Sequence, residues 1–345
     1  MRKLSYLFRK LEGNKVQCLT CSHFCVLKEG QRGKCGVRVN KKGELYFLLY
    51  EKACSANIDP IEKKPFYHFL PQSFSFSFAT VGCNFACLNC QNWEISQAPK
   101  EENLKEEEIE RMGFDLKVEE IVKKAKEAGC QSISYTYTEP TIFLEYALDV
   151  MKLAKKEGLK NVWVSNGFMS PQTIDLISPY LDAINIDLKF FDDDLYQKMA
   201  QGRLLPVLNS IKEFKKRKVW VELTTLIIPG ISDQEEMIKK MAHFIKNEVG
   251  PETPWHLSAF CGIISWKMKD VPDTPRETVE RLCQVAQREG IFYVYAGNLF
   301  GSPFENTYCP RCKELVIKRE GYFVERKDKE GKCPKCGFKL DLILS

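Results

Sequence analysis

The chain has 345 residues, enough for one large domain with smaller additions. An apolar fraction of 44% with 28% charged residues excludes general disorder, and no apolar run nears the ~18 residues of a membrane span. The 51 basic and 46 acidic side chains are interspersed, so a net charge of +5 leaves no basic stripe, and neither nucleic acid nor membrane is expected as a partner.

Fifteen cysteines stand out. Between Met1 and Lys10 only Leu4 to Phe8 runs uncharged, too short for the core of a secretory signal, so the protein is expected in the cytoplasm. Thiols stay reduced there, and clustered cysteines read as metal ligands rather than disulfides. The first cluster is Cys18, Cys21, Cys25 and Cys35, spaced C-x2-C-x3-C-x9-C. It suits zinc, the first choice, or a second iron–sulfur cluster, with His23 as an alternative ligand. So small an arm needs a metal to hold it.

Strict alternation from Ser73 to Phe78 predicts a strand with a small polar face and an aromatic face. His68, in the aromatic stretch before it, reads as a packed or hydrogen-bonded histidine. The strand runs into Cys83, Cys87 and Cys90, spaced C-x3-C-x2-C. Structural zinc wants four closed ligands, whereas three cysteines on one loop suit a 4Fe–4S cluster with one iron open to a substrate or cofactor. A remote fourth cysteine closing an electron-transfer cluster is the alternative. The charged stretch Lys100 to Arg111 reads as a solvated loop or surface helix.

Strand and helix then alternate. Val118, Ile121, Val122 and Ala125 mark a helix stopped by Gly129; Ile133, Tyr135 and Tyr137 alternate as a strand; Leu144, Ala147, Leu148, Met151 and Ala154 mark a helix closed by Gly158. Strands are predicted at Val162 to Val164, Ala183 to Lys189, Trp220 to Ile228, Trp255 to Phe260 and Phe292 to Tyr295. Helices are predicted after Pro171, from Pro206 to Lys218, around Met237 to Phe244 and around Val279 to Ala286. Six or seven βα units mean a parallel sheet covered by helices, and a full or partial barrel, because several strands carry a polar face suited to a lumen. Asn185, Asp187 and Lys189 form one such face; Glu222 and Thr224 form another, and His256 alternates with Ser258 toward the same side. Thr224 and His256 are therefore candidate cofactor contacts, with buried pairing the alternative for Glu222 and Thr224. Trp163 and Trp220 read as core and His243 as surface; Cys54, Cys130, Cys261 and Cys283 read as small buried apolar residues.

Cys309, Cys312, Cys333 and Cys336 form two C-x2-C knuckles around a predicted hairpin at Gly321, the pattern of a zinc ribbon; iron on the same ligands is the alternative. A docking or capping role for this tail is expected. The organisation read from the chain is thus a Cys-rich metal-binding region at 1–70, a core barrel at 71–300 and a zinc-ribbon tail at 301–345.

On these residues the sequence resembles the radical SAM superfamily, in which C-x3-C-x2-C binds a 4Fe–4S cluster and S-adenosylmethionine (SAM) chelates its open iron. Tyr137-Thr138-Glu139-Pro140 stands where the superfamily carries Gly-Gly-Glu-Pro, which holds the methionine amino group, so the resemblance carries over Thr138 and Glu139. Ser165-Asn166-Gly167 resembles a ribose-contacting turn, and Asp187-Leu188-Lys189 resembles the Asp-x-Lys pair of glycyl-radical activating enzymes, whose lysine meets the cofactor carboxylate. Asn89 departs from the aromatic residue usual before the third cysteine.

A closer resemblance is to the radical SAM enzymes of the AmmeMemoRadiSam system, similar to pyruvate formate-lyase activating enzyme. It rests on Cys18 to Cys25, Lys64 to Phe69, Cys90 to Ser96, Tyr135 to Phe143, Thr224 to Gly230, Trp255 to Leu257, Tyr293 to Asn298 and the final cysteine pairs.

The resemblance implies an α/β fold with a partial (β/α)6 TIM-type barrel, and an oxidoreductase that cleaves SAM reductively to a 5′-deoxyadenosyl radical. It also implies a low-potential donor of flavodoxin or ferredoxin type and a protein substrate, glycyl-radical or otherwise, from the same system. A non-catalytic iron–sulfur and zinc redox or scaffold protein is the competing expectation.

Overall fold

The computed structural model describes residues 1–100 and 104–345. Its centre is an eight-stranded sheet of β1 (Ser55–Pro60), β2 (Phe74–Ala79), β3 (Ser132–Tyr135), β4 (Lys160–Ser165), β5 (Ala183–Asp187), β6 (Trp220–Ile227), β7 (Trp255–Ala259) and β8 (Val294–Gly297). The strands lie side by side in chain order. β2 to β8 are parallel, and β1 runs antiparallel on the edge beside β2. The helices α1 (Val118–Glu127), α2 (Leu144–Lys156), α3 (Pro171–Ile177), α4 (Leu204–Lys216), α5 (Glu235–Phe244) and α6 (Arg276–Arg288) fall between successive strands. No described helix is long and apolar enough to cross a membrane.

Alternation along each strand decides the layers. Phe76, Phe78, Ile133, Tyr135, Ile184, Ile186, Val221, Leu223, Trp255 and Leu257 join the main core with helix residues such as Ile121, Met151, Ile211 and Met241. Trp163 belongs to that core. Trp220 does not: it is half-buried, and its Nε1 donates to Glu222 Oε1 at 3.1 Å.

The other face is polar and is covered by the segment from Lys64 to Leu70. Phe66, Phe69 and Leu70 pack on Val162 and Ala183, and Asn185 Nδ2 donates to the Pro65 carbonyl at 2.8 Å. Glu222 anchors this segment by accepting the Tyr67 and His68 amides at 3.0 and 2.9 Å. Buried backbone amides need such partners. His68 is buried, with Nδ1 on the Asp341 carbonyl at 2.6 Å and Nε2 on Tyr295 Oη at 2.5 Å, the packed role expected of it.

Beside the central sheet, β1 and the helix Asp193–Ala200 went unread in the sequence, as did the short N-terminal strands and the helix Trp93–Gln97. β1 shows no clean alternation, because its second partner is solvent. In the charged stretch, residues 101–103 lie outside the described residues, and Glu106–Glu110 is a short helix that buries Ile109.

The N-terminal region forms two small three-stranded antiparallel sheets. It is fastened by Arg38 and Glu145, a fully buried pair bonded at 2.9 and 2.6 Å, with Ser5 Oγ on the same guanidinium at 2.7 Å. The C-terminal hairpin, Leu315–Glu320 with Phe323–Arg326, turns at Gly321 as expected. The tail sits on the segment it covers: Arg319 Nη2 donates to the Tyr67 carbonyl and the Leu70 amide to the Ile343 carbonyl, both at 2.8 Å.

Candidate active site

The loop that carries Cys83, Cys87 and Cys90 follows the C-terminal end of β2, where parallel α/β sheets place their reactive groups. It is held from three sides. The Ala86 and Leu88 amides bond the carbonyls of Ala200 and Met199 at 3.1 and 2.9 Å, which gives the unforeseen helix Asp193–Ala200 its purpose. The Trp266 and Lys267 amides, from the loop after β7, bond the carbonyls of Cys90 and Leu88 at 3.1 and 2.8 Å. The Gly82 amide bonds the Ile95 carbonyl at 2.9 Å. A side chain at Gly82 would strike the Cys35 carbonyl at 2.9 Å, so only glycine lets the N-terminal arm approach this closely.

The three sulfurs do not converge on one point. Among the described residues only Cys309, Cys312, Cys333 and Cys336 bring three or more ligand atoms within 4.8 Å of one another. Sulfurs about 2.3 Å from one zinc stand about 3.8 Å apart, so the loop's spread suits a cluster of several irons better than a single ion. Burial pushes the Cys87 thiol up to about 11, with Lys189 pulling against it, and pushes Cys83 higher still. Neither thiol is a thiolate at neutral pH without a cation to hold it. Asn84 Nδ2 in the same loop is a buried donor without a hydrogen-bond partner among the described residues, one that a cluster's sulfurs would satisfy, while Asn89 Oδ1 is a buried acceptor without one, left for a ligand that donates. The donor set therefore fits an iron–sulfur cluster.

Around the loop stand the residues singled out from β3, β4 and β5. The Glu139 carboxylate is buried and accepts from the Thr141 amide (3.0 Å) and hydroxyl (2.5 Å), Ser165 Oγ (2.8 Å) and the Asn166 amide (2.8 Å). Burial raises its pKa and these donors act against the rise. Asn166 Nδ2 donates to Asn84 Oδ1 at 2.7 Å, inside the cysteine loop, and Thr138 Oγ1 donates to the Thr80 carbonyl at 2.8 Å. Thr138, Glu139, Ser165 and Asn166 thus form one connected network with the cysteine loop. Lys189 Nζ lies 2.7 Å from Asp187 Oδ2; burial lowers its pKa, but the Asp187 carboxylate outweighs burial and keeps the ammonium charged.

Tyr137 carries a strained backbone. Its φ is +64°, the left-handed region that a tyrosine pays to enter. Its hydroxyl donates to Asp59 Oδ2 at 2.5 Å, Lys64 Nζ lies 4.1 Å over its ring, and its carbonyl accepts from Asn92 Nδ2 at 2.7 Å. These contacts hold a conformation that glycine would adopt without strain.

Thr224 and His256 have other partners than expected of cofactor contacts. Thr224 Oγ1 donates to Asn185 Oδ1 at 2.8 Å, and His256 Nε2 meets Glu222 Oε2 at 2.8 Å, both side chains of that pair buried. His256 also packs against Tyr67 and Tyr295, so its ring serves the covering segment. His23 is likewise not at the N-terminal thiols: its Nε2 donates to the Asn84 carbonyl at 2.8 Å, and burial lowers its pKa to about 4. Asn84, Asn92 and Tyr137 were missed as parts of the site. The two asparagines set within and just beyond a cysteine loop were the available signal.

Residues 78–245 match the family model described as the Radical SAM superfamily. Over 342 residues the chain is 43% identical to an uncharacterized protein of Methanocaldococcus jannaschii, which covers 98% of both chains. It is 25% identical over 230 residues to the pyruvate formate-lyase-activating enzyme of Staphylococcus epidermidis, covering 62% of this chain and 86% of that one. Among solved structures, SuiB of Streptococcus suis bound to the precursor peptide SuiA superposes with a TM-score of 0.50 at 14% identity, over 70% of this chain and 52% of that one, a likeness of fold alone. The chain belongs to the radical SAM superfamily. Membership implies a 4Fe–4S cluster and SAM.

Proposed function

We propose that this protein is a cytoplasmic radical SAM enzyme of the activating type, akin to the AmmeMemoRadiSam group, acting on a protein substrate and reduced by a flavodoxin- or ferredoxin-type donor. When bound, the cluster and SAM together supply reductive cleavage of the sulfonium C–S bond and a 5′-deoxyadenosyl radical that takes hydrogen from the substrate. Cys83, Cys87 and Cys90 hold the cluster. Lys189, kept charged by Asp187, pairs with the SAM carboxylate. Thr138, Glu139, Ser165 and Asn166 shape the wall where the methionine and ribose parts lie, and Asn89 meets the adenine with its unpartnered oxygen in place of a ring. Thr224 and His256 stay outside this set because their polar atoms are engaged elsewhere.

The six βα units from β2 to α6 form a partial barrel. The segment from Lys64 to Leu70 fills its lower lumen and leaves the end with the cysteine loop for chemistry. The C-terminal knuckles bind zinc as a structural staple.

The observation that carries this reading is the single hydrogen-bonded network joining the C-x3-C-x2-C loop to Glu139 and Asn166, with the Asp187–Lys189 pair beside Cys87. Anaerobic reconstitution with iron and sulfide, followed by dithionite and SAM, is expected to yield 5′-deoxyadenosine and methionine, and Cys87→Ala to yield neither. Absence of product from the reconstituted wild type refutes the enzyme and leaves a redox or scaffold protein. Lys189→Met is expected to weaken SAM binding about tenfold to a hundredfold, the loss of one charge-assisted contact; equilibrium binding at fixed cluster content measures it.

A further inference from the structure

The N-terminal arm offers a second metal site of a different kind. Cys18, Cys21, Cys25 and Cys35 line one small, nearly filled cavity with Thr20, Gly33, Lys34, Arg38 and Ile142, partly open to solvent. No three of these sulfurs lie within 4.8 Å of one another, whereas the C-terminal four do. A lone zinc would need sulfurs about 3.8 Å apart. Thiolates carried by separate irons at the corners of a cube stand further apart, and the cavity presents four of them around a common space.

Two further observations point to a polar, anionic occupant. Arg38 and Thr20, 2% and 1% exposed, both line the cavity, and Arg38 Nε and Thr20 Oγ1 are buried without a hydrogen-bond partner among the described residues. Both are N–H or O–H donors, the groups that bond the sulfurs of iron–sulfur clusters and tune their potential. The Arg38 guanidinium is paired with Glu145 and lines the cavity beside Cys18 and Cys35.

We propose that this cavity holds a second 4Fe–4S cluster, ligated by Cys18, Cys21, Cys25 and Cys35 and hydrogen-bonded by Thr20 and Arg38. The site is closed, with four protein ligands, and so has no place for SAM. It also lies against the first: the Cys35 carbonyl abuts Gly82, and His23 Nε2 donates to the Asn84 carbonyl at 2.8 Å. That contact suits a one-electron store beside the reaction centre. Each centre takes one electron from an added low-potential reductant, and the arm cluster, oxidised by one electron, reduces the other by one.

The proposal rests on the active-site reading only for the second centre's neighbour, and the test separates the two. Wild-type protein reconstituted anaerobically is expected to hold about eight irons, eight sulfides and one zinc per chain, and two electron-paramagnetic-resonance signals after dithionite, one altered by SAM and one not. The Cys83→Ala, Cys87→Ala, Cys90→Ala triple variant is expected to keep about four irons and only the SAM-insensitive signal.

About four irons with two zincs in the wild type, or a single signal, overturns the second cluster and leaves the first intact. If the triple variant misfolds, the two wild-type signals still decide. Thr20→Val, close in volume but without the hydroxyl, is expected to lower the midpoint potential of the SAM-insensitive signal alone. An unmoved potential refutes the Thr20 bond.

Discussion

At the C-terminal end of the chain, Cys309 Sγ and Cys336 Sγ lie 3.6 Å apart, as do Cys312 and Cys333, and all four sulfurs meet within 4.8 Å. At the N-terminal end four cysteines ring a cavity and no three come that close. One thiol of the C-terminal set is held down, although Cys309 and Cys312 beside it are raised as the arm thiols are. Burial acts on Cys333, but the amides of Cys336 and Lys335 outweigh it and hold the thiol down at about 7, as a hairpin knuckle does. Burial instead pushes Cys35 up to about 11, with Arg38 only partly opposing it. The knuckle holds its four sulfurs close through its own backbone, while the arm spreads its cysteines round a cavity. Four cysteines at each end thus stand in different arrangements, because the backbone sets the sulfur-to-sulfur distance.

The comparison breaks if the two regions prove interdependent. Cys333→Ala is expected to release the C-terminal ion and, since structural zinc sites contribute roughly 10–16 kcal/mol of apparent binding energy, to unfold the tail. Limited proteolysis between Thr307 and Leu342 reads that loss, and the iron content should stay unchanged; a parallel fall in iron sinks the idea of independent centres.

Glu145→Ala probes the other end. It leaves the Arg38 guanidinium buried and unpaired, a cost of about 3–5 kcal/mol. The arm is expected to lose its iron while the tail keeps its zinc, as metal analysis and thermal melting would record.

A smaller effect concerns how the tail docks. Burial holds His68 at about 4, well below the roughly 6.5 of an unfolded chain. As the pH falls from 6.5 to 4 the unfolded state takes up the proton first, so stability is fully present above that window and is lost through it. Melting temperature against pH should show the decline, and His68→Gln should flatten it.

The smallest change is Tyr137→Phe. It removes the hydrogen bond to Asp59 and the exposed one from Asn57 Nδ2, and is expected to cost about 1–2 kcal/mol, read from denaturant midpoints.

Much of the fold was legible because its causes are local. Phe76 and Phe78 alternate with serines, Ile121, Val122 and Ala125 recur at helical spacing, and Gly129 and Gly158 at positive φ end their helices where the sequence placed them. The site was legible to the level of its loops, since C-x3-C-x2-C and Asp187-Leu188-Lys189 are contiguous. Trp220 packs against the cluster of Phe66, Phe69 and Val162 but stays half-buried, its nitrogen answering Glu222, a need visible only once Tyr67 and His68 present their amides to the same carboxylate.

By itself the sequence determined the strand–helix order, the parallel sheet and three clusters of cysteines, for these depend on periodicity and short spacing within one stretch of chain. Tertiary structure alone decided that His256 serves Glu222, that Asn84 joins His23 to Asn166, and that four N-terminal sulfurs surround a cavity while four C-terminal ones meet at a point. Those outcomes are distances between residues far apart in the chain. Packing of the whole molecule sets them, and no local pattern encodes them.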